Sequence, residues 1–223
     1  MLKVSSLNFS YQENASLLFD GVSFALSAGD ILHIGGVNGC GKSTLLSVLA
    51  GLTPKQGGEI TFFHNKKNTV LDRRYFLEYL EADSNGLFLN LDASENLRFW
   101  SSIRRKIAPA KLEQSIAQAL QTWGLEYSLA KKGYPVRFFS TGMKRRLSLA
   151  RVFLSSAPCL ILDEPINGLD SKGQIVFQEE LNKHKKKGGM AIVVSHHFDQ
   201  HVPSPFTSRA LLTKTGLEMQ VFP

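Results

Sequence analysis

Apolar and polar positions follow two rhythms along this chain. Near the start the period is two: Val22, Phe24 and Leu26 alternate with Ser23, Ala25 and Ser27, the pattern of a strand with one buried face. Residues 2–9 read the same way, and shorter apolar stretches at 30–35, 59–63, 69–71 and 76–80 add further strands. Between 30–35 and 59–63, residues 43–50 form a helix that Gly51 ends and Pro54 keeps from resuming. Beyond about residue 84 the rhythm becomes helical. Asn96 to Ser102 carries Leu97, Phe99 and Trp100 on one side. In 110–123, Leu112, Ile116, Ala119, Leu120 and Trp123 recur at the spacing of an amphipathic helix packed on a core. A further helix at 143–156 stops before Pro158. The pattern then gives a buried strand at 159–163, a helix at 171–187, a buried strand at 190–194, and a closing hairpin of 207–213 and 216–221.

Strands alternate with helices, so the expected fold is α/β: a mainly parallel sheet with helices on both faces. The first strands would supply an antiparallel edge. We expect one domain over 1–223, with 1–83 and 157–223 as the core and 84–156 as an inserted helical part. The chain has 223 residues, 43% of them hydrophobic and 20% charged, which is ordinary for a globular domain. No apolar stretch approaches the roughly 20 residues of a membrane span, and Met1 to Ser6 reads as a strand and not as a signal peptide. The net charge of +7 permits contact with nucleic acid or an anionic surface without requiring either. The cluster Lys183, His184, Lys185, Lys186 and Lys187 falls at a helix C-terminus, where cations are favourable. Cys40 and Cys159 are too few for a disulfide framework and fit a reducing compartment.

Two stretches carry chemistry. Gly36-Val37-Asn38-Gly39-Cys40-Gly41-Lys42-Ser43-Thr44 is a complete G-x-x-x-x-G-K-S phosphate loop between a strand and a helix. Its glycines let backbone N–H groups turn inward around phosphates, and the helix N-terminus adds partial positive charge. Lys42 is expected to reach the β- and γ-phosphates and Ser43 to ligate Mg²⁺. The alternative is a Gly-rich turn with a chance Lys-Ser, which the flanking strand and helix argue against. Cys159-Leu160-Ile161-Leu162-Asp163-Glu164 buries a strand and delivers two carboxylates at its C-terminal end, where open α/β sheets bind ligands. Asp163 would hold Mg²⁺ and Glu164 would act as general base on the attacking water. Cys40 lies inside the loop, where a thiol can be activated. Either it reacts, so that alkylation blocks nucleotide binding and ATP protects it, or it is a small buried side chain.

A third stretch, Phe139-Ser140-Thr141-Gly142-Met143-Lys144-Arg145-Arg146, precedes the acidic strand by one helix. It resembles the signature motif of ATP-binding cassette (ABC) ATPases, and the resemblance runs from Tyr11 to His196. It implies that Ser140 and Gly142 meet the γ-phosphate of an ATP held by a second copy of the chain. Gly168-Leu169-Asp170 resembles the loop that crosses that dimer interface. His196 matches the histidine that touches the γ-phosphate, and Tyr11 the aromatic that stacks on adenine. ATP and Mg²⁺ are the implied cofactors. Integral membrane transporter subunits and a second copy are the implied partners, with the chain peripheral on the cytoplasmic face of the inner membrane and no nucleic acid involved. Three positions depart from the pattern. Asp83 stands where a Gln usually senses the metal; it can ligate through oxygen but lacks the amide donor. Thr141 and Met143 replace the commonest Gly and Gln.

Asn38 to Ser43, Glu95-Asn96-Leu97-Arg98-Phe99-Trp100 and Gly188 to His197 together resemble the ATPase subunit of the cytochrome c maturation, or haem export, system. A generic ATPase of drug, lipid or polysaccharide export is the alternative, since Ser140 to Arg146 occurs there too. A soluble ABC factor acting on nucleic acid would ordinarily carry two cassettes or a long insertion. A non-enzymatic nucleotide sensor is the third class, and Mg²⁺-dependent turnover would argue against it.

Overall fold

The computed structural model describes residues 1–11, 16–64, 69–70, 76–83, 85–104, 108–126, 133–195 and 205–220. Its strands are β1 (Leu2–Phe9), β2 (Phe19–Leu26), β3 (Ile31–Gly35), β4 (Gly57–His64), β5 (Thr69–Val70), β6 (Leu77–Leu80), β7 (Cys159–Asp163), β8 (Met190–Val194), β9 (Ser208–Thr213) and β10 (Gly216–Gln220). The helices are α1 (Lys42–Ala50), α2 (Ala93–Arg104), α3 (Pro109–Thr122), α4 (Thr141–Leu154) and α5 (Ser171–Lys186). Among the described residues they form two sheets, ordered β2-β1-β4-β5 and β10-β9-β3-β8-β7-β6.

In the second sheet β6, β7, β8, β3 and β9 run parallel and only β10 is antiparallel. The leading strands do not extend its edge. β1 pairs antiparallel with both β2 and β4, and these strands make a sheet of their own. The physical reason lies in their alternation. One apolar face per strand suits an antiparallel layer wetted on the other side, whereas β7 and β8 are apolar on both faces, as a covered parallel strand must be.

That two-sidedness builds two cores with one sheet between them. Cys159 and Ile161 of β7, with Met190, Ile192 and Val194 of β8, pack with α1 and the antiparallel sheet. Their alternate neighbours Leu160, Leu162, Ala191 and Val193 pack with residues of α2 to α5. Truncating one buried leucine on either side would cost about 2–5 kcal/mol.

Helix ends follow their capping residues. α2 starts three residues earlier than the apolar pattern indicates because Asp92 and Glu95 form a reciprocal capping box, each accepting the other's backbone N–H at 2.8 Å. Asn96, fully buried, fixes the segment before it by accepting from Phe88 N–H at 2.8 Å and donating to the Phe88 and Asp92 carbonyls. α4 begins at Thr141, since Ser140 caps it by accepting the Met143 N–H at 3.2 Å.

Candidate nucleotide site

The phosphate loop joins β3 to α1, and its shape rests on glycine. Gly41 has φ 100°, and a Cβ there would lie 2.8 Å from the Leu18 side chain; Gly36 has φ 142° and would clash with Cys40 Sγ at 2.8 Å. Neither place suits an L side chain. Lys42 is buried at 7% exposure, and its ammonium donates to the carbonyls of Gly36 and Val37 at 2.9 and 3.0 Å. The loop thus holds its own lysine at its centre. Tyr11 lies across the start of α1, its hydroxyl 2.7 Å from Thr44 Oγ1, with its ring largely exposed.

One cavity of about 410 Å³ brings together Tyr11, Asn38, Gly39, Gly41, Lys42, Ser43, Thr44, Asp163, Glu164 and Asn167. A larger one of about 900 Å³ adjoins it on the β9 side and takes in Gly36, Cys40 and Tyr11. Every phosphate-loop position expected from sequence therefore faces one of two joined cavities, as do both carboxylates. Asp83 is exposed and does not line the phosphate cavity, although its charge is felt at Arg145. His196 lies outside the described residues.

The electrostatics centre on Asp163. It is 1% exposed, and neither carboxylate oxygen has a hydrogen-bond partner of good geometry among the described residues. Burial pushes its pKa above the ordinary carboxylate range; the Ser43 hydroxyl, Arg145 and Lys42 oppose that shift, and Glu164 adds to it. A buried anion with unused lone pairs suits a cation. Glu164 adopts φ 45°, unusual for a residue with a side chain, and donates its N–H to Val194 O at 2.8 Å. Cys159 is fully buried, which raises its thiol pKa to about 12.

Ser140, Gly142 and Asp170 belong to a different surface, at the N-termini of α4 and α5. A Cβ at Gly142 would sit 3.1 Å from Gly168 O, so the absence of a side chain lets the two loops meet. Asp170 accepts from Gly173 N–H at 2.9 Å and from Arg146 at 2.6 Å. The first of these, then Arg146, holds its carboxyl below the usual range.

Two arginines escaped the sequence reading. Arg145, 3% exposed, donates to four backbone carbonyls: Pro165, Glu81, Asp163 and Glu164, at 3.1, 3.2, 3.0 and 2.7 Å. Arg151 pairs with Glu78 at 2.6 Å, both nearly buried, beneath the Trp100 ring. The run Lys144-Arg145-Arg146 offered a signal, but the partners lie on other elements.

With this geometry in hand, comparison with known proteins is decisive. The ABC transporter family model matches residues 19–167, from β2 through the carboxylate turn. The chain belongs to the ABC transporter family. Its chemistry is that of the cassette, ATP hydrolysis coupled to export. A relative from Vibrio cholerae serotype O1, "Cytochrome c biogenesis ATP-binding export protein CcmA", is 34% identical over 198 residues, spanning 88% of this chain and 91% of that protein. A solved ATP-binding subunit of an ABC transporter superposes with a TM-score of 0.83 at 25% identity, covering 97% of this chain and 88% of that one. A dimeric cassette, MJ0796, in a post-hydrolysis state bound to ADP and Pi, shares the fold at a TM-score of 0.81 and 22% identity over the full length of both. That cassette is a dimer in its own structure. No described helix is long and apolar enough to cross a membrane.

Proposed function

We propose that this chain is the ATP-hydrolysing subunit of an export complex serving cytochrome c maturation, in which turnover drives haem export or release of the holo-chaperone. It is a single cassette over 1–223, with 84–156 as the inserted helical part. One observation carries the mechanism. Lys42, Ser43, Asp163 and Glu164 line one cavity, while Ser140 and Gly142 lie on another surface of the same chain. A single copy holds half a site, and a second copy completes it.

In this reading the inward backbone of Gly36 to Gly41 and the start of α1 receive the phosphates, and Lys42 exchanges its two loop carbonyls for phosphate oxygens. Tyr11 leaves Thr44 to stack on the base. Ser43 and Asp163, whose carboxylate has spare lone pairs, would hold Mg²⁺, which when bound neutralises phosphate charge and orients the leaving group. Asp83 is a further candidate for that metal. Glu164 takes the proton of the attacking water. Ser140 and Gly142 of the second copy, with His196, contact the γ-phosphate, and Asp170 sits at the junction. Stabilisation is mainly electrostatic positioning.

Exposed apolar residues support a protein partner. Phe88, Leu89, Phe99, Ile103 and Phe138 are 41–57% exposed on and beside α2, and Phe88 packs edge-on against Phe99 with ring centroids 4.5 Å apart. Such a patch is a contact surface by default. Membrane subunits docking there would hold the chain on the cytoplasmic face of the inner membrane. The relatives' role in cytochrome c biogenesis favours the haem pathway for the cargo.

Replacing Glu164 with Gln tests the chemistry. The variant should bind ATP, hydrolyse it at least about a hundredfold more slowly, and accumulate as an ATP-bound dimer in size-exclusion chromatography. A fully active variant would refute the assignment. Pulling the cassette from detergent-solubilised membranes and identifying the bound subunits tests the pathway; subunits of an unrelated exporter would overturn it.

A further inference from the structure

The acid at position 164 is held in an unfavourable turn, and the structure shows what holds it. Glu164 has φ 45° and precedes Pro165. A residue before proline ordinarily takes extended backbone, so this conformation needs outside support. Two tethers supply it. The Glu164 N–H donates to Val194 O at 2.8 Å. The Glu164 carbonyl accepts from Arg145 at 2.7 Å, and the same guanidinium bonds the carbonyls of Asp163 at 3.0 Å and Pro165 at 3.1 Å. Three consecutive carbonyls of the turn thus hang on one side chain.

That side chain belongs to α4, five residues beyond the Ser140 cap. It also reaches Glu81 O at 3.2 Å, two residues before Asp83. Only arginine has five N–H donors in a rigid plane and keeps its charge when buried. A lysine carries its three N–H donors on a single nitrogen, without that planar spread.

We propose that Arg145 is a positioning residue that makes the placement of the Glu164 carboxylate depend on the signature helix α4. This rests on the reading of Glu164 as general base. When Ser140 and Gly142 engage a nucleotide held by the second copy, any shift of α4 passes through Arg145 to the hydrolytic turn and to the segment leaving β6. Each copy thereby reports its engagement with its partner's nucleotide to its own general base.

The test uses the full chain with Arg145→Gln, Arg145→Lys, Glu164→Gln and the double variant Arg145→Gln/Glu164→Gln, measuring kcat, KM and binding of a fluorescent ATP analogue. Both Arg145 variants should lose about 30- to 100-fold in kcat while nucleotide affinity stays within about threefold, because misplacement of the base and not loss of binding is the defect. The double variant should be no slower than Glu164→Gln alone, since both act on one group. Arg145→Lys, which keeps charge and stem, carries the same expectation if Arg145→Gln does not fold. A kcat within twofold of the parent, a matching loss of affinity, or a double variant slowed by the product of the single effects would overturn the proposal. An unimpaired Arg145→Gln beside an inactive Glu164→Gln refutes the tether alone. An active Glu164→Gln refutes the general-base reading and takes the tether with it.

Discussion

On one face of the central sheet, Lys42 donates to Val37 and Gly36, five and six residues back along the same loop. On the other face, Arg145 reaches Asp163, 18 residues onward, and Arg151 reaches Glu78, 73 residues back. In the proposed dimer the two regions contribute complementary halves of one site, but they are assembled by different means. The phosphate loop is shaped by its own glycines and its own helix start. The signature region is joined to the carboxylate turn and to β6 by long arginine side chains. A loop built locally can lose its chemistry and keep its fold. In a region wired across elements, a buried ion-pair link such as Arg151 to Glu78 also carries stability.

Lys42→Ala should separate these behaviours most sharply. Turnover should fall by about a hundred- to a thousandfold, as when one electrostatic donor to the reacting group is removed, while the melting temperature barely moves. A large drop in melting temperature would break the contrast. Arg151→Met probes the other face. It leaves Glu78 buried without its cation, which costs about 3–5 kcal/mol, read by urea denaturation. Pairing it with Glu78→Gln should recover a substantial part of that loss. If Arg151→Met leaves stability unchanged, the arginine links do not hold this half together.

The smallest effect is expected at the seam. Burial raises the folded pKa of Asp163 above its unfolded value of 3.8, so the ionised form is the penalised one. The penalty is absent below about pH 3.8 and grows as pH rises through the folded pKa. Asp163→Asn should therefore stabilise the nucleotide-free chain at neutral pH, with the gain closing on acidification, even as it removes turnover. A gap in melting temperature that does not change with pH would contradict this.

The same contrast explains what could be read from residues alone. The phosphate loop is contiguous, so Gly36 to Thr44 stood out as a unit, and the doubly apolar strand ending in Asp163 and Glu164 stood out with it. Strand and helix positions followed from period, although α2 began early because capping by Asp92 does not register as an apolar signal. The antiparallel edge subdomain expected of the first strands is present as a sheet of its own, a separation the period alone does not give: alternation tells that one face is buried, not which layer buries it. Arg145 and Arg151 were invisible because their meaning resides in carbonyls and a carboxylate from other elements. Asp83 is assigned by resemblance to the family's Gln position alone, and the fold leaves it exposed.

All five residues of β7 and all five of β8 are buried, sandwiched between the two cores. Their amides should be the last in the chain to exchange with deuterium, since opening them requires both layers to part. The acids that end β7 are therefore mounted on a rigid beam, and the turn at Glu164 and Pro165 is the joint by which Arg145 is tied to them. A rigid mount with one tethered joint would pass movement of α4 on through that joint. A compound that stiffens the bend would stall the motor without ever entering the nucleotide pocket.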